Sequence, residues 1–179
     1  MNYRNAYIAI IFLAMTTILN AEGLLGHWKL DEQGISKGIT DESGNGLNGK
    51  ASPTLIVGSE GRKQGDKAVK FDGKSYVNLG EPKALTSLTD NFTIEAWIKP
   101  SDVSDTHRVV SASQPDGYGF GIKDGELIFT FFGIFDHVSS GANIKAGEWC
   151  HISVVVNTSN STSPVMLYKD GDLVSMQTH

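Results

Sequence analysis

Cysteine and positive charge are both scarce in this sequence. Cys150 is the single cysteine among 179 residues, so no disulfide can form within the chain and a folded domain must be held by its hydrophobic core. Lys and Arg number 15 against 20 Asp and Glu, which gives a formal net charge of −5, and the basic residues are scattered. Nucleic acids and anionic membranes need a basic face, so neither is expected as a partner.

The sequence also lacks the apolar periodicity of a long helix. The segment 81–90 predicts at most one short helical turn, whereas other segments alternate with the period of a strand. Residues 92–99, FTIEAWIK, alternate apolar and polar side chains until Pro100. Residues 118–123, YGFGIK, alternate large side chains with glycines. Residues 126–132, ELIFTFF, are apolar on both sides and predict a central strand covered on both faces.

Asp-Gly pairs separate several of these strand-like runs. Such pairs favour tight hairpins, because both central residues of the turn need a positive φ. The pairs are Asp72-Gly73, Asp124-Gly125 and Asp170-Gly171. The sequence therefore predicts an all-β fold, an antiparallel two-sheet sandwich, and turn chemistry explains these aspartates without a catalytic role.

The N-terminus reads as a signal peptide over residues 1–21. MNYRN carries one positive charge, an apolar run of about 14 residues follows, and Ala21 offers a small residue for cleavage. The run is shorter than the roughly 20 residues that span a bilayer, although an uncleaved membrane anchor remains the alternative. We expect a mature domain over residues 22–179, exported to the extracellular space or cell surface, with the periplasm also open, and without membrane insertion after cleavage.

Signs of catalysis are missing. A retaining glycosidase needs two carboxylates about 5 Å apart, but Glu95 is the one acid inside a clear strand, where it shares a face with Trp97 and where its own strand offers no second carboxylate. Cys150 and His151 point to opposite faces of their strand, so they form no catalytic pair, and a buried, inert thiol is expected. The sequence holds no H-E-x-x-H zinc motif, no serine elbow and no phosphate loop. We expect a protein that is not an enzyme.

The stretch DESGNGLNG resembles the start of a calcium loop. Asp41, Ser43 and Asn45 occupy the first ligand positions of an EF-hand pattern. The bidentate Glu of that pattern is replaced by Ser52, and a proline and β-branched residues follow instead of a helix, which excludes an EF-hand. A calcium loop on a β scaffold and a plain polar turn both remain open.

Six motifs follow one another in an order that resembles the LamG-like, concanavalin A-like jelly-roll family. They are carried by Trp28, residues 41–46, residues 71–77, residues 92–98, Trp149 with His151, and residues 168–171. The resemblance runs from about Gly26 to Val174. It departs from the family after the last hairpin, where a segment like F-x-G-x-I-D-x-V-R-I-Y is expected, so we interpret the domain as lacking its last strands.

The resemblance implies a jelly roll and, from several members of the fold, a structural Ca²⁺ held by Asp41 and Asn45. The missing late segment often supplies a further acidic ligand in the family, so a low affinity for calcium is implied here. The fold hosts lectins as well as glycan-cleaving enzymes, but this chain lacks the E-x-D-x-x-E run of the enzymatic relatives.

These considerations predict a secreted, non-catalytic recognition module for a polysaccharide or other glycan, or for an extracellular protein surface. Stacking on sugars needs exposed aromatic rings with polar neighbours. The candidates are Trp97, Trp149, and Phe135 with Asp136 and His137 in a predicted loop. Burial in the sandwich is the competing explanation for each Trp, so Phe135 is preferred. A structural or adhesion module of a larger surface protein is the alternative, and a divergent polysaccharide hydrolase or lyase ranks last.

Overall fold

The protein is almost entirely β in a computed structural model. The model describes residues 7–9, 23–34, 38–88, 91–112, 117–157 and 165–177. Within these residues, the helical content is one short helix, α1, Lys83–Thr86, in the segment where a single turn is predicted. The strands, in chain order, are β1 (Tyr7–Ala9), β2 (Lys50–Ala51), β3 (Ile56–Glu60), β4 (Lys67–Lys70), β5 (Val77–Asn78), β6 (Phe92–Ile98), β7 (Thr106–Ser111), β8 (Tyr118–Lys123), β9 (Glu126–Phe131), β10 (Phe135–Val138), β11 (Cys150–Val156), β12 (Val165–Lys169) and β13 (Asp172–Gln177).

Two antiparallel sheets form the sandwich, and a two-stranded ribbon of β2 and β5 accompanies them. The larger sheet has seven strands in the order β13-β12-β11-β6-β1-β4-β3, and the smaller has four in the order β10-β9-β8-β7. β6 pairs with β11 along its whole length, from Phe92 opposite Val156 to Ile98 opposite Cys150. The predicted all-β, antiparallel two-sheet jelly-roll sandwich is confirmed.

The core fills the space between the two sheets. Phe120 of β8 and Phe129 of β9 meet Ile152 and Val154 of β11, and all four side chains are fully buried. The period-two alternation places these residues on the inner faces of their strands, because successive side chains of a strand point to opposite sides. β9 lies between β8 and β10 and is buried from Leu127 to Thr130, as its two-sided apolar sequence predicts.

Two of the three Asp-Gly pairs form the predicted hairpins. Asp124 and Gly125 join β8 to β9 with φ angles of 51° and 80°, and Asp170 and Gly171 join β12 to β13 with φ angles of 52° and 91°. Positive φ at both positions is the geometry that matches the twist of paired strands.

The third predicted hairpin, at Asp72, is wrong. β4 pairs with β3 and β1, whereas β5 pairs with β2, so the chain leaves one sheet at this turn. The Asp72 carboxylate accepts hydrogen bonds from the backbone N–H groups of Lys74 and Ser75 at 2.9 and 2.8 Å. The local turn chemistry is as expected, but the strands on either side belong to different layers.

Cys150 is buried in the core, as predicted. Its exposed fraction is 4%, and burial raises the pKa of its thiol to about 11. A thiol is nucleophilic as the thiolate, so this cysteine is inert at neutral pH.

Most of the predicted signal peptide, including its boundary at Ala21, lies outside the described residues. β1 is the described part of that segment, and it pairs with β4 and β6. In the portion of the chain that the structure describes, no helix has the length and apolar character needed to cross a membrane.

Candidate ligand-binding site

The outer face of the four-stranded sheet has a floor made of glycine. β8 directs Tyr118, Phe120 and Ile122 into the core, so the alternate residues Gly119 and Gly121 point outward. A Cβ atom at Gly121 would lie 2.0 Å from a backbone oxygen, which no side chain tolerates. Both glycines are themselves buried, because the His107 backbone lies over Gly121 and the side chains of Arg108 and Phe132 lie over Gly119.

Arg108 of β7 lies along this floor and reaches β9. Its Nη2 donates to Thr130 Oγ1 at 2.7 Å, and its Nη1 donates to the Gly119 carbonyl at 3.5 Å. Thr130 Oγ1 donates in turn to Asp136 Oδ1 of β10 at 2.6 Å. Thr130 is 6% exposed, while Asp136 is exposed to solvent. A guanidinium, a buried hydroxyl and an exposed carboxylate thus form one chain across the sheet from β7 to β10.

An aromatic ring stands beside this chain. The Arg108 guanidinium carbon is 5.7 Å from the centroid of the Phe132 ring, and a Cβ at Gly119 would lie 3.0 Å from the same ring. We call the surface formed by Arg108, Gly119, Gly121, Thr130, Phe132 and Asp136 the β8 groove. It combines donors, a carboxylate acceptor and an apolar wall, which is the composition of sites that orient small polar ligands.

The predicted trio Phe135, Asp136 and His137 forms strand β10, so the prediction that they lie in a loop is wrong. Phe135 and His137 point to the core side: the Phe135 ring packs edge-on against Phe131 at 5.5 Å, and His137 is 4% exposed and hydrogen-bonds through Nδ1 to Gln177 of β13. Asp136 points to the opposite side and is the member of the trio that faces the β8 groove.

The two candidate tryptophans belong to the other sheet. Trp97 is half-buried on the outer face of β6, where the Arg62 guanidinium carbon lies 4.1 Å from the indole centroid and the His151 ring lies 5.3 Å away. A ligand ring stacking on this face of Trp97 would have to displace Arg62. Trp149 is half-buried just before β11. Neither tryptophan contributes to the β8 groove.

Glu95 has a partner on the neighbouring strand. Its Oε2 lies 3.8 Å from His151 Nε2, across the diagonal between β6 and β11. Burial raises the pKa of Glu95. Burial is also the main cause that lowers the pKa of His151. The charge of Asp170 acts in the opposite direction, and the charge of Arg62 lowers the pKa further. Both shifts favour the neutral forms, so at this distance the contact is a weak polar pair and not a general acid with its carboxylate partner.

The Asp41 carboxylate is fully engaged with the protein. Oδ1 accepts from the backbone N–H groups of His27 and Ser43, each at 2.9 Å. Oδ2 accepts from the Ser43 hydroxyl and the Leu47 N–H, each at 2.8 Å. Burial alone would raise the pKa of Asp41, but these hydrogen bonds outweigh it and hold the pKa below its ordinary 3.8.

Asn45 ties the same loop to the start of the described domain. Its Nδ2 donates to the carbonyls of Leu24 and Leu25 at 2.7 and 3.0 Å. As arranged, both oxygens of the Asp41 carboxylate already accept hydrogen bonds from the protein. Across the described ranges, no three His, Cys, Asp or Glu side chains are grouped so that they could hold a metal ion. Calcium binding by Asp41 and Asn45 stays a prediction.

Arg108 and Thr130 were missed by sequence reasoning. The one local signal is the pair of glycines at alternate positions of YGFGIK, which marks a strand whose outer face carries no side chains. That signal indicates a groove but does not indicate which side chain lies in it, because Arg108 and Thr130 come from the two flanking strands.

Comparison with known proteins adds the family. Residues 71–179 match the family described as the concanavalin A-like lectin/glucanases superfamily. The chain is also similar to a protein named non-toxic nonhemagglutinin from Paraclostridium bifermentans, with 25% identity over 152 residues that cover 80% of this chain. The chain spans 12% of the length of that relative. No solved structure matches the chain significantly.

Proposed function

Because the chain belongs to the concanavalin A-like lectin/glucanase superfamily, we propose that it is an exported, non-catalytic module that binds glycan through the β8 groove. The observation that carries this proposal is the hydrogen-bonded chain from Arg108 through Thr130 to Asp136 over a floor of glycine. The fold alone does not decide the function, so the argument depends on this site.

The groove has the chemistry that a sugar needs. Neighbouring sugar hydroxyls both donate and accept, so they pair with the guanidinium of Arg108 and the carboxylate of Asp136. Thr130 is buried and bonds to both groups, which fixes them before a ligand arrives. Prior ordering lowers the entropy cost of binding. Phe132 gives the apolar C–H face of a sugar a ring to pack against.

The non-catalytic part of the proposal rests on the carboxylates. Glycoside hydrolysis commonly uses two of them flanking the scissile bond. The β8 groove contains Asp136 alone, and its partner in the structure is the Thr130 hydroxyl. Glu95, whose raised pKa would suit a general acid, is on the outer face of the opposite sheet.

The similarity to a nonhemagglutinin guides the choice of assay. The name nonhemagglutinin says that the relative does not agglutinate red cells. A module with one binding site would not crosslink cells in any case. Direct binding is therefore the appropriate measurement, and the whole relative's activity is not transferred to this chain.

The test is glycan-array screening of the purified chain, followed by calorimetry with the best oligosaccharide. Arg108→Ala and Asp136→Asn should each weaken binding about tenfold to a hundredfold, since a hydrogen bond to a charged group contributes about 1.5–3 kcal/mol. Asp172→Asn, at an exposed carboxylate on β13, is the matched control and should bind like the unmodified chain.

Three results would contradict the proposal. Unchanged affinity in both groove variants would remove the β8 groove as the site. Loss of binding in Trp97→Ala but not in the groove variants would assign the glycan to the larger sheet. Release of reducing sugar by the purified protein, absent from the Asp136→Asn variant, would make the module an enzyme.

Protein recognition is a second candidate, favoured by one observation. Leu173 and Met176 are 51% and 52% exposed on β13, which forms one edge of the larger sheet among the described strands. Exposed apolar side chains on an edge strand are typical of contacts with another protein. A negative glycan array, together with cell-surface binding that Leu173→Asp abolishes, would favour this role in adhesion over glycan binding.

A further inference from the structure

The loop that follows Asp41 contains two Asn-Gly pairs, Asn45-Gly46 and Asn48-Gly49. An asparagine followed by glycine is prone to deamidation, because glycine has no side chain to keep its backbone nitrogen away from the asparagine side chain. The dipeptide is the same at both places. A difference in reactivity between the two pairs must therefore come from the fold.

At the second pair, the glycine is buried and its nitrogen is engaged. The Gly49 N–H donates to the Ile39 carbonyl at 2.7 Å, and the Ile39 N–H donates back to the Gly49 carbonyl at 2.8 Å. A Cβ atom at Gly49 would lie 2.3 Å from Val77 Cγ1, so the backbone is closely packed on this side. The Gly49 nitrogen can approach the Asn48 side chain only if this pair of hydrogen bonds opens.

At the first pair, the glycine is exposed and has open space around it. Gly46 has a φ of 73°, and a Cβ atom at this position would meet no atom within 4 Å beyond its chain neighbours. Among the described residues, its N–H takes part in none of the backbone hydrogen bonds of the turns and loops. The Gly46 nitrogen can therefore approach the Asn45 side chain without first losing a backbone partner.

The two asparagine side chains are both held by hydrogen bonds. Asn48 Oδ1 accepts from the Asp41 N–H at 2.8 Å. Asn45 Nδ2 donates to the carbonyls of residues 24 and 25 at 2.7 and 3.0 Å. Because anchoring of the side chain is common to both pairs, the attacking nitrogen distinguishes them.

We propose that Asn45 is a site of spontaneous deamidation and that the reaction releases residues 24 and 25 from the loop. The Gly46 nitrogen gives up its proton to solvent and forms a bond to Asn45 Cγ, while the Cγ–Nδ2 bond breaks and Nδ2 takes up a proton and leaves as ammonia. Water then opens the five-membered succinimide at one of its two carbonyls, which leaves aspartate or isoaspartate. The net reaction consumes one water and releases one ammonia, and no atom is oxidised or reduced.

The product lacks the donor that holds the preceding segment. A carboxylate has no hydrogen to donate, so the carbonyls of residues 24 and 25 lose Asn45 as their donor and face a negative charge instead. Leu25 keeps a bond from Ser43 Oγ at 3.3 Å, which is long for a hydroxyl donor. None of these residues belongs to the β8 groove, so the outcome is independent of the proposed glycan binding.

The experiment is peptide mapping by mass spectrometry of the full chain after ageing at about pH 8 in EDTA, which keeps calcium from the loop. In the native protein, Asn45 should deamidate about tenfold faster than Asn48 or more, because the reaction at Asn48 must first open a backbone hydrogen bond. Asn48 is the matched control, since it has the same following residue. In urea, where the fold no longer distinguishes the two pairs, they should react at similar rates.

Release of the segment is measured by hydrogen exchange. The His27 N–H donates to Asp41 Oδ1, so its exchange reports whether the segment stays against the loop. Exchange at His27 should rise in Asn45→Asp, whereas the Ile39 N–H, which donates to the Gly49 carbonyl, should exchange as in the unmodified chain. If Asn45→Asp does not fold, the deamidated fraction of the aged chain is separated by ion exchange through its added negative charge and measured instead.

Three outcomes would overturn the proposal. Equal rates at Asn45 and Asn48 in the native protein would show that the fold does not select the site. An Asn45 that stays intact in the native chain but reacts in urea would show that its hydrogen bonds protect it. Unchanged exchange at His27 after deamidation would show that the segment remains bound, which refutes the release.

Discussion

Replacing Asp41 by alanine should destabilise the protein, although the residue belongs to a polar loop whose other side chains are mostly exposed. The carboxylate is 7% exposed and accepts from three backbone N–H groups and one hydroxyl. A methyl group at this position would leave those four donors without their acceptor. Because the donors come from His27, Ser43 and Leu47, the carboxylate also fastens the segment 23–34 to the loop.

The magnitude follows from those hydrogen bonds. Each hydrogen bond to a charged acceptor contributes about 1.5–3 kcal/mol. In this exposed loop, water can accept from some of the donors once the carboxylate is removed, and this recovers part of the lost free energy. We expect about 3 kcal/mol of lost unfolding free energy for Asp41→Ala, given those contributions. In a chain of this size that corresponds to a fall in Tm of about 6–12 °C. Asp41→Asn keeps one acceptor oxygen and should lose roughly half as much.

The assay is urea unfolding at pH 7 in EDTA, repeated with excess calcium. The contribution of a lowered pKa is present above the ordinary value of 3.8 and is lost as pH falls through the folded-state pKa, so the deficit of Asp41→Ala should shrink below about pH 4. A deficit under about 1 kcal/mol in EDTA would refute the hydrogen-bond argument. A calcium-dependent rise in the urea midpoint that disappears in both Asp41 variants would establish the predicted calcium site instead.

Three further predictions concern other parts of the fold. Glu126→Gln should cost about 1–2 kcal/mol in urea unfolding, because the carboxylate accepts from Ser139 Oγ at 2.5 Å and from the Ala142 N–H at 2.9 Å. Glu148→Gln is the control, and an unchanged urea midpoint in Glu126→Gln would contradict this expectation. The Cys150 thiol, with a pKa of about 11, should react with a disulfide reagent only at the unfolding rate, and rapid labelling of native protein would be inconsistent with its burial. Phe129→Ala should lose about 3–5 kcal/mol by calorimetry, and a smaller loss would mean that the core collapses around the cavity.

Strands with regular alternation were predictable from sequence because their inner faces are uniformly apolar. β6, β8 and β11 each place every second residue in the core, and that periodicity is a local property. β10 breaks the rule: His137 faces the core at 4% exposed, while Val138 faces solvent at 40% exposed. Because the polar His137 faces the core and the apolar Val138 faces solvent, the sequence of this segment predicts a loop.

The limits at Asp72 and at the β8 groove have a different cause. An Asp-Gly pair determines a turn but not which strands pair on either side of it. β4 pairs with β3 and β1 in the larger sheet, whereas β5 pairs with β2. The groove depends on register across four strands, including a bulge between Arg108 and Val110. Such long-range pairing decides that Arg108 crosses two glycines to meet Thr130, and no local pattern encodes it.

Substitution of Arg108 should change both the measured stability and the measured glycan affinity. Thr130 is 6% exposed, so Arg108→Ala removes a donor from a nearly buried hydroxyl and should cost about 1 kcal/mol of stability in addition to any glycan contact. Asp136→Asn keeps an oxygen that can accept from Thr130 at the exposed end of the same chain, so it should leave stability nearly unchanged. Loss of affinity in both variants therefore indicates direct contact with the ligand. Loss in Arg108→Ala alone indicates that the sheet has been disturbed and that the groove does not hold the sugar.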